Sequence, residues 1–139
     1  MTPAQTRKLV TRYYDAFNAG DVDGMVACLS KGFVHDVNEG VRRRGKAKFR
    51  EFLLHMNTCY REHLTDVVVM AATDGTRAAA EFTVNGTYLA TDPGLPEANG
   101  QRYKLPGGAF FVVKDDGIAR VTTYYNLKDW IAQVTRSRR

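Results

Sequence analysis

The sequence has little cysteine and no long apolar run, and each shortage excludes a class of protein. Its two cysteines, Cys28 and Cys59, are too few for the disulfide framework of a small secreted domain. Both lie in helical patterns, so we expect small buried hydrophobic residues. No window approaches the roughly 20 apolar residues that span a bilayer, and the N-terminus lacks the apolar core of a signal peptide. We therefore expect a cytoplasmic protein without a membrane partner.

Positive charge is in excess, with a formal net charge of +5 at pH 7. The excess is concentrated in the run 42–44 and in the C-terminal residues Arg136, Arg138 and Arg139. A basic turn and a basic tail are usually solubilising, and no known nucleic-acid-binding motif accompanies them. We predict no nucleic-acid partner.

The composition is that of one ordinary globular domain. Apolar residues make up 44% and charged residues 25% of the 139 positions, and this length can bury a sizeable core. The chain has no internal repeat, linker or low-complexity segment. Residues 1–139 are assigned to a single domain.

Hydrophobic periodicity predicts helices in the first half of the chain. The first covers residues 3–19 and ends at Gly20, after which Asp21 can cap a second short helix. A strand follows at 33–38, and a third helix spans about 46–60.

The second half reads as strands at 64–72, 78–91, 103–113 and 118–125. Turn signals at Asp74-Gly75 and at 115–117 predict hairpins, and 93–100 is a long loop. A last helix over 127–134 carries Trp130 inward. Helices followed by antiparallel strands indicate an α+β fold, with about three N-terminal helices on a cone-shaped, curved antiparallel (mixed) sheet that encloses a pocket. The outer sheet face would need a cover, which favours a homodimer.

The strand at 33–38 places an acid, Asp36, among residues typical of a core. A carboxylate is costly there unless it is paired, hydrated or used in chemistry. We predict that Asp36 lies in the pocket together with Tyr13, and that strand alternation sends His35 to the opposite face. The alternative is a structural acid paired with an arginine such as Arg43.

Motifs along nearly the whole chain resemble the nuclear transport factor two-like superfamily, in particular its ketosteroid isomerase and SnoaL-like polyketide cyclase branches. The resemblance rests on Arg12-Tyr13, Asn18-Ala19-Gly20-Asp21, Val34-His35-Asp36, the segment 45–52, Asn85-Gly86-Thr87-Tyr88, the segment 116–121 and Tyr124-Tyr125.

The resemblance implies a cystatin-like, ketosteroid isomerase-like cone and a candidate chemistry. Asp36 matches the isomerases' general base, and Tyr13 matches their oxyanion donor. The isomerases' second acid would fall at or next to Ala109, and the cyclases' histidine and acid would fall near Ala109 and Thr123. Neither set is complete, since these positions hold alanine and threonine.

These observations lead to two function hypotheses. The first is a cofactor-independent isomerase- or cyclase-like enzyme that transfers a proton next to a carbonyl of a small hydrophobic cyclic ligand. The second is a non-catalytic ligand-binding or assembly module. A polyketide-type cyclase or dehydratase would need an acid that the sequence does not place.

Metal binding is not expected, because Glu51 and His55 lie one helical turn apart without a third ligand. The predicted pocket wall consists of Phe17, Phe52, Met56, Phe82, Tyr88, Phe111 and Tyr124.

Overall fold

Helices and strands are largely segregated along the chain, as expected for an α+β domain, in the computed structural model, which describes residues 1–136. Arg138 and Arg139 of the basic tail lie outside the described residues. The elements in chain order are α1 Pro3–Asn18, α2 Val22–Val26, β1 Leu29–Asp36, β2 Arg42–Arg44, α3 Lys46–Cys59, β3 Tyr60–Ala71, β4 Arg77–Tyr88, β5 Arg102–Lys114, β6 Gly117–Tyr125 and α4 Leu127–Arg136.

Local chemistry sets the ends of the first two helices. Thr2 and Gln5 form a reciprocal capping box at the start of α1, which satisfies amide groups that have no partner within the helix. Gly20 adopts a φ of +69° after α1, a conformation that glycine reaches without strain. The Asp21 side chain then accepts a hydrogen bond from the Gly24 amide at 2.8 Å and caps α2.

The strands form one mixed sheet of six in the order β2-β1-β6-β5-β4-β3. The pairing of β1 with β6 is parallel and the other pairings are antiparallel. The predicted α+β cone with a curved, mixed sheet is confirmed. The prediction of a simple basic turn at 42–44 was wrong, because these arginines form β2 against the end of β1.

Strand boundaries differ from the prediction mainly at β1, which begins at Leu29 instead of residue 33, and at β3, which begins at Tyr60 instead of residue 64. Both hairpins are confirmed: Gly75 has a φ of +74° in the first turn, and Lys114 pairs with Gly117 across the second. The predicted alternation of β4 is also confirmed, since Val84 and Tyr88 are buried while Glu81 is exposed.

The buried apolar residues form one cluster between the helices and the inner sheet face. Cys28 and Cys59 are buried free thiols, as predicted. Among residues 1–136, no helix is long and apolar enough to cross a membrane.

The outer sheet face carries large apolar side chains in contact with solvent. Val68 and Met70 on β3 are each 48% exposed, and Phe110 on β5 is 52% exposed. The homodimer through this face stays a prediction.

Candidate functional site

An apolar cavity of about 230 Å³ lies between the helices and the inner face of the sheet. Residues of all four helices and of every strand except β2 line it, and most of their side chains are aromatic or aliphatic. Five of the predicted wall residues line this cavity: Phe17, Phe52, Met56, Phe82 and Tyr124.

Two predicted wall residues lie elsewhere. Tyr88 and Phe111 have no exposed surface and do not line the cavity. Phe111 packs edge-on against Tyr13 and Tyr14, and its ring centroid lies 6.0 and 5.9 Å from theirs. These two residues support the wall from behind, and their assignment to the cavity surface was wrong.

Strand register decides which side of the sheet the residues of β1 face. His35 lies opposite Val121, which lies opposite Phe111, and all three side chains are buried. Asp36 lies opposite Thr122, which lies opposite the exposed Phe110. Since directly opposed residues share a face, His35 points inward and Asp36 points outward.

Asp36 therefore lies outside the cavity, and its predicted position beside Tyr13 was wrong. Its carboxylate accepts hydrogen bonds from Arg42 Nε at 2.7 Å and Nη2 at 3.1 Å, and from the Thr122 hydroxyl at 2.7 Å. The Arg42 hydrogen bonds, followed by that of Thr122, hold the pKa of Asp36 at about 2. Asp36 is therefore an arginine-paired acid, as in the alternative interpretation, but its partner is Arg42 and not Arg43.

Tyr13 lines the cavity as predicted and is only 4% exposed. Burial raises the pKa of its hydroxyl well above the ordinary value, so the group remains protonated and can donate a hydrogen bond. Its role as an oxyanion donor stays a prediction.

His35 is an inward-facing imidazole surrounded by aromatic rings. Its ring centroid lies 5.0 Å from that of Phe49 and 4.7 Å from that of Phe52, both in edge-on geometry. Its Nδ1 is buried and has no hydrogen-bond partner within residues 1–136. Burial, reinforced by the nearby charge of Arg43, lowers the pKa of His35 to about 4. The ring is therefore neutral at physiological pH.

Glu62 supplies the cavity carboxyl group that was predicted at Asp36. It lies between the buried residues Tyr60 and Leu64 on the inward face of β3 and lines the cavity. It also borders an adjoining cleft of about 410 Å³. Burial raises the pKa of Glu62, and a 2.6 Å hydrogen bond donated by the Tyr103 hydroxyl offsets part of that rise.

The glycine at position 86 makes the contact between Glu62 and Tyr103 possible. Gly86 lies directly opposite Glu62 on one side and Tyr103 on the other. A Cβ added at Gly86 would overlap the Tyr103 ring. The missing side chain lets that ring cross β4 and reach Glu62. Both signals were available in the sequence: an acid two residues from each of two core positions, and a glycine within a strand.

The positions expected to hold a second acid or a histidine carry no titratable group. Ala109 on β5 is buried and lies directly opposite Thr123 on β6. Thr123 lines the cavity. The inner face of the sheet therefore lacks a titratable group at both positions where the resemblance to the isomerases and cyclases implies one.

A second polar group lies where α3 meets the loop after β4. His55 Nε2 is 2.8 Å from Asp92 Oδ1 and 3.8 Å from Cys59 Sγ. The other carboxylate oxygen of Asp92 accepts a hydrogen bond from the Tyr60 hydroxyl at 2.7 Å. In the sequence His55 has only Glu51 one helical turn away and no third ligand, whereas the fold brings Cys59 and Asp92 to this histidine.

Solved structures with more than half of their residues identical match this chain over almost its full length. A candidate polyketide cyclase of Silicibacter sp. TM1040 is 61% identical, covers 96% of this chain and 98% of its own, and has a TM-score of 0.93. A candidate polyketide cyclase of Pseudomonas putida KT2440 is 58% identical with the same coverage and a TM-score of 0.92.

A candidate ketosteroid isomerase of Kribbella flavida is similar in fold alone. It is 24% identical, covers 89% of this chain and 79% of its own, and has a TM-score of 0.64. No curated protein matches the chain.

The family comparison agrees with the fold and with the sequence motifs. The model of the SnoaL-like domain matches residues 10–121, from the middle of α1 into β6. The chain belongs to the SnoaL-like domain family, within the nuclear transport factor two-like superfamily.

Proposed function

We propose that this protein is an enzyme that moves a proton next to a carbonyl group of a small, hydrophobic, cyclic substrate. One observation carries the proposal: the apolar cavity holds a carboxyl group of raised pKa and an imidazole of lowered pKa. Environments that shift the pKa values of two neighbouring titratable groups away from their ordinary values are typical of acid–base sites. The names of the similar structures, candidate polyketide cyclases and a candidate ketosteroid isomerase, support this class of reaction.

Glu62 is the proposed proton carrier. A carboxylate of raised pKa is a stronger base than an ordinary glutamate, which favours removal of a proton from a carbon beside a carbonyl. The same carboxyl group returns the proton to another carbon, so an isomerisation needs no other acid. The Tyr103 hydroxyl fixes the orientation of the carboxylate through its 2.6 Å hydrogen bond.

His35 and Tyr13 are the proposed donors to the substrate oxygen. As the carbon loses its proton, negative charge develops on the carbonyl oxygen and is stabilised by fixed N–H or O–H groups. One such donor commonly contributes about 10²–10³ in rate. Both side chains line the cavity and both are neutral, because burial lowers the pKa of His35 and raises that of Tyr13.

The size and wall of the cavity favour a compact ring as substrate. Small-molecule sites commonly enclose about 300–1,000 Å³ and are mostly apolar. The present cavity of about 230 Å³ lies just below that range. Tyr124, at 57% exposure, also lines it and places part of the wall in contact with solvent.

The test is hydrogen exchange at carbon in heavy water. The protein is incubated with a panel of cyclic ketones and enones, and deuterium incorporation beside the carbonyl is followed by mass spectrometry. We expect Glu62→Gln to lower the exchange rate by about 10²–10⁴. Glu81→Gln is the matched control, because Glu81 is an exposed acid of the neighbouring strand. Equal loss in both variants, or full activity in Glu62→Gln, would contradict the proposal.

The same assay separates Glu62 from Asp36. Asp36→Asn is expected to retain exchange activity, since the Asp36 carboxylate lies outside the cavity and is paired with Arg42. Loss of activity in the folded Asp36→Asn protein would instead indicate that Asp36 is the base.

A non-catalytic ligand-binding module is the second candidate. The absence of a titratable group at both Ala109 and Thr123 favours it, because the resemblance to the isomerases and cyclases implies their second working group at or near these positions. Binding of a panel compound without exchange or turnover in the wild-type protein would establish this role.

A further inference from the structure

His55, Cys59 and Asp92 converge on one point in space at the edge of the cavity. Each offers one ligand atom, and the three atoms lie within 4.8 Å of one another. Four-coordinate zinc binds nitrogen and oxygen at about 2.0–2.2 Å and sulfur at about 2.3 Å, so small side-chain movements would place one ion between all three. We propose that these side chains form a zinc-binding site.

The hydrogen-bond pattern fits a shared ion better than a Cys–His–Asp proton relay. In such a relay the two ring nitrogens have different partners, one the nucleophile and the other the carboxylate. Here Asp92 Oδ1 and Cys59 Sγ both lie nearest to Nε2 of His55. An oxygen and a sulfur that both approach the same imidazole nitrogen are arranged as ligands around a common cation would be.

The backbone brings the three ligands together before any ion binds. His55 and Cys59 are four residues apart on α3, so the helix places them on one face. The Cys59 carbonyl accepts hydrogen bonds from the amides of Leu89 and Ala90 at 2.7 and 3.2 Å. These bonds fasten the loop that carries Asp92 to the end of α3.

A further hydrogen bond orients the carboxylate. The Tyr60 hydroxyl donates to Asp92 Oδ2 at 2.7 Å, which leaves Oδ1 facing His55. The hydroxyl of Tyr88 accepts a hydrogen bond from the Asp92 amide at 2.9 Å. Supporting contacts of this kind commonly fix the carboxylate and imidazole ligands of metal sites.

The donor set selects the class of metal. One nitrogen, one sulfur and one oxygen suit zinc and neighbouring transition metals, whereas magnesium and calcium prefer oxygen ligands alone. Binding releases the thiol proton of Cys59 to solvent, since a thiolate is the ligand form. His55 is exposed, and solvent can supply a fourth ligand at that side. Asp92 also lines the cavity.

The test is titration of the purified, metal-free protein with Co²⁺ and Zn²⁺. Cobalt bound to a thiolate gives a charge-transfer absorption in the near ultraviolet, which reports the sulfur ligand directly. We expect one Co²⁺ per chain with this absorption, displacement by Zn²⁺, and loss of the absorption in Cys59→Ser. We also expect His55→Gln and Asp92→Asn to weaken Zn²⁺ binding at least tenfold, and Tyr60→Phe to weaken it by about tenfold.

Each ligand variant has a matched control in the same chain. Cys28→Ser removes the other buried free thiol, and His63→Gln removes an exposed histidine of β3. Glu51→Gln removes the acid one turn before His55. These three variants should bind Co²⁺ with unchanged absorption and affinity, and circular dichroism checks that every variant is folded.

The proposal would be overturned by a wild-type protein that binds no stoichiometric Co²⁺ or Zn²⁺ or gives no thiolate absorption, in which case His55 and Asp92 form a hydrogen-bonded pair only. It would equally be overturned if Cys28→Ser abolished the absorption and Cys59→Ser did not.

Discussion

The replacement Tyr103→Phe tests whether Glu62 is the working carboxyl group. The Tyr103 hydroxyl donates a 2.6 Å hydrogen bond to Glu62 Oε2 and thereby lowers the pKa that burial raises. A hydrogen bond to a charged group contributes about 1.5–3 kcal/mol. Since one pH unit corresponds to about 1.4 kcal/mol, removal of the hydroxyl should raise the pKa of Glu62 by about one to two pH units.

The pKa can be measured by carbon NMR of protein labelled at the glutamate side-chain carboxyl groups. Glu62 is identified by the signal that disappears in Glu62→Gln, and its titration is compared between the wild type and Tyr103→Phe. Tyr88→Phe is the matched control, because Tyr88 is buried, does not line the cavity, and donates its hydroxyl hydrogen bond to the Pro96 carbonyl at 2.7 Å instead of to Glu62. If Glu62 is the base, the acid limb of the exchange rate should move to higher pH by the same amount.

Two results would refute this reasoning. An unchanged or lowered pKa of Glu62 in Tyr103→Phe would mean that the hydroxyl does not stabilise the carboxylate. A shifted pKa with an unshifted acid limb would mean that Glu62 does not carry the reacting proton.

Further predictions concern both faces of the sheet. His35 should titrate at about pH 4 by NMR, and a midpoint above 6 would contradict its burial among aromatic rings. Because the pKa of Asp36 is lower in the folded than in the unfolded protein, its stabilisation is present above the ordinary value of 3.8 and is lost as pH falls through about 2. Asp36→Asn should cost at most about 1 kcal/mol in urea unfolding at pH 7, since its arginine partner is largely exposed. Gly86→Ala should cost about 1–3 kcal/mol and displace the Tyr103 ring, which urea unfolding and the pKa of the neighbouring carboxyl would report. Phe110→Glu should convert the predicted homodimer to a monomer in sedimentation; a monomeric wild type would contradict that prediction.

Much of the architecture could be predicted from local sequence. The end of α1 at Gly20, the cap at Asp21 and the hairpin turns around Gly75 and Gly117 each follow from short-range backbone chemistry. The alternation of β4 follows from the two-residue period of a strand. These signals, with the resemblance to the family, were enough for the α+β cone.

The site depended on contacts that no short segment contains. The face of Asp36 is set by its position opposite Thr122, some 86 residues later, and by an arginine of the short strand β2. A one-residue error in strand phase exchanges the two faces, so the acid was assigned to the cavity in place of His35. The burial of Phe33 could have corrected this, because residues 33 and 35 share a face.

The sequence by itself determined every helix and strand except β2, their order and the apolar character of the cavity wall, because these depend on periodicity and on residues close in the chain. Only the tertiary structure decided which titratable groups share that cavity. Glu62 meets Tyr103 across Gly86, and His55 meets Asp92 across 37 positions. These groups lie on strands and loops that are distant in the sequence and come together only when the whole chain folds. Their pKa values, hydrogen bonds and ligand distances depend on that proximity.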